Sequence, residues 1–529
     1  MKERFRKIFG ENTVFQASIM ISFFILVSRI LGVVRDRLFA VRFGAGPQLD
    51  SFFAAFRLPD LMFSLVVVGA FASAFIPIFM ELKMQGKTKQ SFKLVSRTIN
   101  LLFLFWSLAA LVILIFAPFF VKIIAPGFSG DEFSRTVFLT RLLLLSPLFL
   151  GLSNVASSTL NSYKRFLLTA LAPSFYNLGI ILGTLFLAPR FGVVGIAIGV
   201  LFGALLHFLI QWVGLVRLPG FKYLFDFHIF SPKVKEVIYL AIPRVFTNSI
   251  YQLNLWVQTA AASFMLGGSI TALNFAQNIQ GLPVGLVGVA MSSAIFPTLT
   301  EIALLGNHEE MKNKIIKALK IILFVIIPLT LFLIILRAQA VRLILGAGNF
   351  DWHDTYVTSQ VVGYLAISLF AQCFVFLLNQ SFFAYRDTRT PLKAAAVAFL
   401  VNLLFILLSV NHSTFSLHLG IVGIALAFSL ASITEATILM FNLRKKIGPF
   451  IRALIRYGAI ILIFSLVASI LVQITKTYLG TVLNLQHTIF VLIQGVVPLT
   501  LGILVFIVLA YFFKIRELWE FKKITARIF

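Results

Sequence analysis

Arg29, Arg35, Asp36, Asp50, Arg57 and Asp60 fall within Ser28 to Pro77, in or beside two segments apolar enough to sit in a bilayer. A centrally placed Arg or Asp in such a segment costs roughly 2.5 to 3.5 kcal/mol, so charges kept there usually line a cavity. Residues seven apart on a helix share a face. Asp50 and Arg57 are so related, with Asp60 one turn further on, and Arg29 and Asp36 repeat the relation on the preceding span. Two polar stripes facing each other across a water-filled space would hold a charged solute inside hydrocarbon. The bland alternative is that these residues sit at helix ends, pair with each other or with headgroups, and only set topology.

The elements that must position them are membrane helices. Of 529 residues, 60% are hydrophobic, 12% are charged and 59 are Phe, which excludes a soluble domain of this length. A spanning helix needs about 20 apolar residues. On that ruler fourteen spans are expected, at 14–35, 50–80, 94–124, 135–162, 166–188, 191–216, 233–262, 268–300, 312–336, 354–385, 390–410, 418–444, 450–475 and 487–513. The fold class is therefore all-α and polytopic, since lipid offers the backbone no partners and runs this long exclude barrel strands. The basic start MKERFRKIF resembles a signal peptide, but the run after it is too long and reads as a retained first span.

The 45 Lys and Arg against 19 Asp and Glu give a net charge of +26, clustered in alternate short loops. That is the positive-inside pattern, with both termini cytoplasmic, and it excludes nucleic acid as the partner. The tail from Lys514 alternates bulky apolar residues with bases, as an interfacial anchor does. The single cysteine, Cys373, permits no intrachain disulfide.

The chain also repeats itself. FGVVGIAIG at Phe191 recurs as LGIVGIALA at Leu419, Leu58-Pro59 as Leu282-Pro283, and the small-residue run ending in Pro77 as the run ending in Pro297, all shifted by about 220 to 228 residues. Six spans per repeat give both halves the same orientation, with substrate handled near the midplane at their interface. The domains expected are 1–220 (spans 1–6), 221–448 (spans 7–12) and 449–529 (spans 13–14 and the tail). Gly195, Gly199 and Gly203 form a small-xxx-small series for close helix approach. Pro59, Gly69, Gly281 and Pro283 are the hinge candidates.

No Walker, HExxH, GxSxG or paired-cysteine motif is present, and the seven histidines show no ligand spacing, so no metal, cofactor or covalent catalysis is expected. The histidines read as interfacial or loop residues. A channel needs a ring of like elements; two repeats with charges of both signs suit alternating access. Glu435, alone in span 12, is the acid of the second lobe that could bind an ion or proton.

SRILGVVRD, FGAG with LDSFFAAFRLPDL, GAFASAFIP, APGF at Ala125, TLNSYKRF with APSFYN, GLPVGLVGVAMSSAIFPTL, GAGNFD and FAYRDTRTPLKAA occur in that order. Together they resemble the MurJ (MviN) lipid II flippase family of the multidrug/oligosaccharidyl-lipid/polysaccharide exporter superfamily. The resemblance implies fourteen helices in two six-helix lobes around a cationic cavity, with a groove by spans 13 and 14 for a polyprenyl tail. It also implies a bacterial inner-membrane location, lipid II or a similar polyprenyl-pyrophosphate lipid as cargo, membrane lipids and cell-wall synthesis proteins as partners, and a monomer. Arg29, Arg35 and Asp50 match the family's important positions. A pyrophosphate favours Arg forks in low dielectric, so Arg29, Arg35 and Arg57 are expected on the cargo, with Asp36, Asp50 and Asp60 orienting them. The chain departs from the family at Phe63, Ser64 and Val68, where an Arg pair and a Glu are common, and at Asn278, where an Arg is usual. The acids of a sodium site on spans 7 and 11 are also unmatched. A flippase for another polyprenyl-linked glycan and a cation-coupled small-molecule exporter are the alternatives.

Overall fold

A computed structural model describes residues 14–66, 70–226, 228, 231–410, 419–484 and 487–519. Among the described residues there is no strand. The helices are α1 (Val14–Phe43), α2 (Pro47–Val66), α3 (Ala70–Met84), α4 (Thr88–Ile124), α5 (Gly130–Leu143), α6 (Leu145–Ser162), α7 (Phe166–Leu182), α8 (Ala188–Phe191), α9 (Val193–Val216) and α10 (Pro232–Ala262). They continue as α11 (Ser269–Pro283), α12 (Ala290–Leu304), α13 (His308–Ile335), α14 (Arg337–Leu345), α15 (Trp352–Ala366), α16 (Leu369–Ala384), α17 (Arg389–Val410), α18 (Gly420–Ile447), α19 (Ile451–Val482) and α20 (Thr488–Phe512). Each expected span falls on one of these or on a consecutive pair. Ten described helical stretches are long and apolar enough to cross a membrane, or eleven if α15 and α16, bent by 48°, are one span.

Packing divides the chain into two compact units, Met1–Thr271 and Ala272–Phe529. This differs from the expected boundaries at 220 and 448. In the first unit α10 packs on α2, α3 and α4, so span 7 belongs with the first six; in the second, α19 and α20 pack on α13 and α14 and form no separate body. Hydrophobic burial follows contact, and a sequence repeat does not fix which neighbours a helix covers.

The first unit is centred on Phe75, Phe79, Phe92, Trp106 and Leu160, and the second on Leu319, Ile322, Leu377, Phe382 and Leu439. Loop ends are tied by side chains: Asn307 accepts from Glu310 N and Asp351 from Asp354 N, each satisfying an orphan donor of a first helical turn.

The glycine series on α9 is a packing device, as expected. A Cβ on Gly203 would lie 2.4 Å from the Tyr176 carbonyl oxygen, and one on Gly199 2.8 Å from Gly183 Cα. These contacts let α9 and α7 touch backbone to backbone. Gly203→Val should therefore lower stability by about 2 to 3 kcal/mol through overpacking, read as a fall in melting temperature in detergent.

Asp387, between α16 and α17, accepts from Lys446 Nζ at 2.7 Å, Thr390 N at 3.0 Å and Thr390 Oγ1 at 2.8 Å. Burial alone would push its carboxyl up; these hydrogen bonds and the Lys446 charge outweigh that and hold it at about 2. A carboxyl depressed in the folded state stabilises above its unfolded value of about 3.9 and loses that contribution as pH falls toward 2. Asp387→Asn should thus lower the melting temperature at pH 7 by an amount equivalent to about 1 to 2 kcal/mol, and the difference from the parent protein should close at low pH.

Candidate functional site

The first unit gathers the charges of spans 1 and 2. Arg35, on α1, donates from Nε and Nη2 to Asp36 Oδ1 at 2.9 and 2.8 Å, and from Nη1 to Asn177 Oδ1 on α7 at 3.2 Å. Asn177 donates in turn to the carbonyl and hydroxyl oxygens of Ser28 and to the Pro173 carbonyl, each at 3.2 Å. A guanidinium has five N–H donors. Three are taken here and two have no partner among the described residues, on a fork already aimed by its neighbours, and the Phe39 ring lies 5.8 Å from the guanidinium carbon.

Arg57, on α2, is buried and donates from Nε to Thr259 Oγ1 on α10 at 2.7 Å, while its carbonyl accepts from Trp256 Nε1 at 2.9 Å. Asp60 is the carboxylate within electrostatic reach of Arg57. Tyr176 on α7 feels both Arg35 and Asp60, and Tyr251 on α10 feels both Arg57 and Asp60. Helices α1, α2, α7 and α10 therefore bring their polar groups to one region. Arg29 is half-buried on α1 and makes no ion pair among the described residues. This region can bind an anion: among the described residues, two donors of Arg35 and the charge of Arg29 are not consumed by internal pairing.

Asp50 does not join the cluster. Its Oδ2 accepts from Gly268 N at 2.6 Å, and its Oδ1 from Thr271 N at 2.7 Å and Thr271 Oγ1 at 2.6 Å. The expectation that it orients a guanidinium is corrected: with 3% exposure and both oxygens engaged, it caps the start of α11. Asp36, on the helix face of Arg29, accepts from Arg35, its sequence neighbour.

Other candidates are scattered. Gly69 and Val68 lie outside the described residues. Pro59 is buried inside α2. Pro283 ends α11 and is followed by a π-helical segment, Val284–Val289, while a Cβ on Gly281 would meet nothing within 4 Å. Such π segments often mark functional sites. Glu435 is half-buried on α18. Phe63 is half-buried, and Ser64 donates to the Leu61 carbonyl. His207, expected at an interface or loop, sits within α9 with Nδ1 2.8 Å from Ser153 Oγ. Asp351, His353 and Asp354 place ligand atoms within 4.8 Å of one another, but near the surface and with Asp351 already engaged as a cap.

Asn177, Tyr176, Thr259, Trp256 and Tyr251 were not singled out by sequence. Asn177 and Tyr176 lie in the APSFYN motif, so the signal was present without a role.

A family model described as lipid II flippase MurJ matches residues 39–493. The chain is 30% identical over 443 residues to the lipid II flippase MurJ of Burkholderia cenocepacia, covering 82% of this chain and 84% of that one. It is 27% identical over 509 residues to the probable lipid II flippase MurJ of Rickettsia prowazekii, covering 95% and 98%. A solved structure titled lipid II flippase MurJ, inward closed conformation, superposes with a TM-score of 0.78 at 28% identity over 94% of this chain and 99% of that one. An inward-facing multidrug resistance MATE family transporter, at 15% identity, TM-score 0.68 and coverage of 83% and 99%, shares the fold alone. On the match to residues 39–493 and these relatives, the chain is a multi-pass membrane protein that belongs to the lipid II flippase MurJ family.

Proposed function

We propose that the chain carries lipid II from the inner to the outer leaflet of the bacterial cytoplasmic membrane by alternating access, breaking no covalent bond. The observation that carries this reading is Arg35, fixed by Asp36 and Asn177 with two donors unengaged among the described residues. A pyrophosphate oxygen accepts such a fork in low dielectric with strong, oriented hydrogen bonds. Arg29 and Arg57 add charge, Asp36 and Asp60 hold the guanidiniums, and the polyprenyl tail stays in lipid. Asp50 serves the architecture of the site rather than the cargo.

The sequence repeats are read as spans 1–6 and 7–12 with spans 13 and 14 appended, although span 7 packs within the first compact unit, and both termini as cytoplasmic, following the basic loops. The π-helical segment after Pro283, next to the uncrowded Gly281, supports a bend there that flexes during transport. Glu435 is the candidate for an ion or proton in the second unit. The chain acts as a monomer, with cell-wall synthesis proteins as partners. Phe63 and Ser64, standing where the resemblance to the family leads an Arg pair to be expected, favour as second reading a different polyprenyl-linked glycan.

Purified protein reconstituted in vesicles with lipid II in one leaflet tests the proposal. Headgroups should become accessible from the opposite side faster than in protein-free vesicles. An unchanged leaflet distribution would overturn it, and faster movement of another polyprenyl-linked sugar would decide for the second reading.

A further inference from the structure

The turn between α18 and α19 opens onto a recess of about 850 Å³ whose wall includes Lys320, Arg444, Arg452 and Arg456, with Phe450 and Tyr457 beside them. No carboxylate lines it. It also faces the first turn of α19, a 32-residue helix with no acidic residue there, so its unpaired N–H groups add partial positive charge. Lys320 Nζ is 5.2 Å from the Tyr457 ring, which holds that cation at the recess without neutralising it.

The face below the cations indicates what kind of anion belongs there. Arg452 and Arg456 are one turn apart on α19, and Ile460, Ile463, Val467, Ile470 and Ile474 continue the same face at helical spacing, all exposed. A free phosphate or an acidic peptide would use the cations and gain nothing from this apolar strip. A lipid uses both, with its phosphate among the basic side chains and an acyl chain along the strip.

We propose that this recess is a binding site for the phosphate headgroup of an anionic glycerophospholipid of the cytoplasmic leaflet. The site is separate from the Arg35 cluster, which lies in the other compact unit. It rests on the orientation proposed above but not on the identity of the cargo.

The test uses full-length protein in detergent, with phosphatidylglycerol and phosphatidylcholine of matched chains as probes and binding read by native mass spectrometry. Phosphatidylglycerol should bind at least about ten-fold more tightly than phosphatidylcholine. Arg452→Gln with Arg456→Gln should weaken phosphatidylglycerol about ten- to thirty-fold, and Arg452→Lys with Arg456→Lys should retain most of it. Neither inorganic phosphate nor a hexaglutamate peptide should displace the lipid at equal concentration. Equal binding of the two lipids by the unmodified protein would overturn the proposal without any variant. So would undiminished phosphatidylglycerol binding by the folded Gln variant, displacement by phosphate, which would mark a soluble-anion site, or displacement by the peptide, which would mark a protein-docking site.

Discussion

Arg35→Ala should fail to restore growth to cells depleted of their own lipid II flippase while the protein accumulates in the membrane at the level of the parent chain. Hydrogen bonds to charged groups contribute about 1.5 to 3 kcal/mol each. Losing the two Arg35 donors that have no partner among the described residues should slow translocation in vesicles by about a hundred-fold or more. The variant also leaves Asp36 without its guanidinium, so a structural explanation must be separated from a loss of cargo binding. Arg35→Ala with Asp36→Asn does this by removing the carboxylate charge that Arg35 faces: stability should recover and transport should not. Arg35→Lys keeps the charge but not the planar fork and should give an intermediate rate. Arg29→Ala should follow Arg35→Ala in direction with little change in melting temperature, because Arg29 holds no ion pair among the described residues. Full growth rescue by well-expressed Arg29→Ala and Arg35→Ala would remove both from the site.

The helices were legible because the signal is local. A long apolar run must become a helix in lipid whatever it later packs against, and the α9 glycines announced a close approach by their spacing alone. Partnerships were less legible. The seven-residue rule put Arg29 on the face of Asp36 and Asp50 on that of Arg57 and said nothing of what each would bond, since it treats a helix as an isolated cylinder. A long Arg side chain is free to fold back on its neighbour, as Arg35 does, and a short Asp finds whatever donors another segment brings. The partners of Asp50 lie 218 and 221 residues away, two of them backbone N–H groups that every residue but proline offers, so no residue type could have signalled them. Asn177 and Thr259 were hidden likewise, because a lone polar residue in an apolar span does not say which charge it will meet. Span 7 joined the first unit through packing on α2 and α3 that periodicity does not encode.

Asp50→Ala should unfold the protein far more readily than any change in the Arg35 cluster. The substitution strands the N–H groups of Gly268 and Thr271 in a buried setting, and each orphaned donor costs about 1 to 3 kcal/mol, so a loss of about 3 to 5 kcal/mol is expected once the Thr271 hydroxyl is included. Asp50→Asn keeps one acceptor oxygen and should lose about half as much. Gly268 supplies an independent route to the same joint. Its φ of +95° is strained for any other residue, and an alanine Cβ would lie 2.0 Å from the Ala45 carbonyl oxygen, so Gly268→Ala must displace the donor that Asp50 holds. Thermal unfolding in detergent should rank Asp50→Ala and Gly268→Ala together, with Asp50→Asn between them and the parent chain. The pair separates two meanings of one carboxylate. A cap depends on acceptor geometry, so the loss of transport in these variants should track the loss of folded protein. If Asp50→Asn instead kept the parent melting temperature and abolished translocation, its charge would act on the cargo after all, and the cap would be incidental.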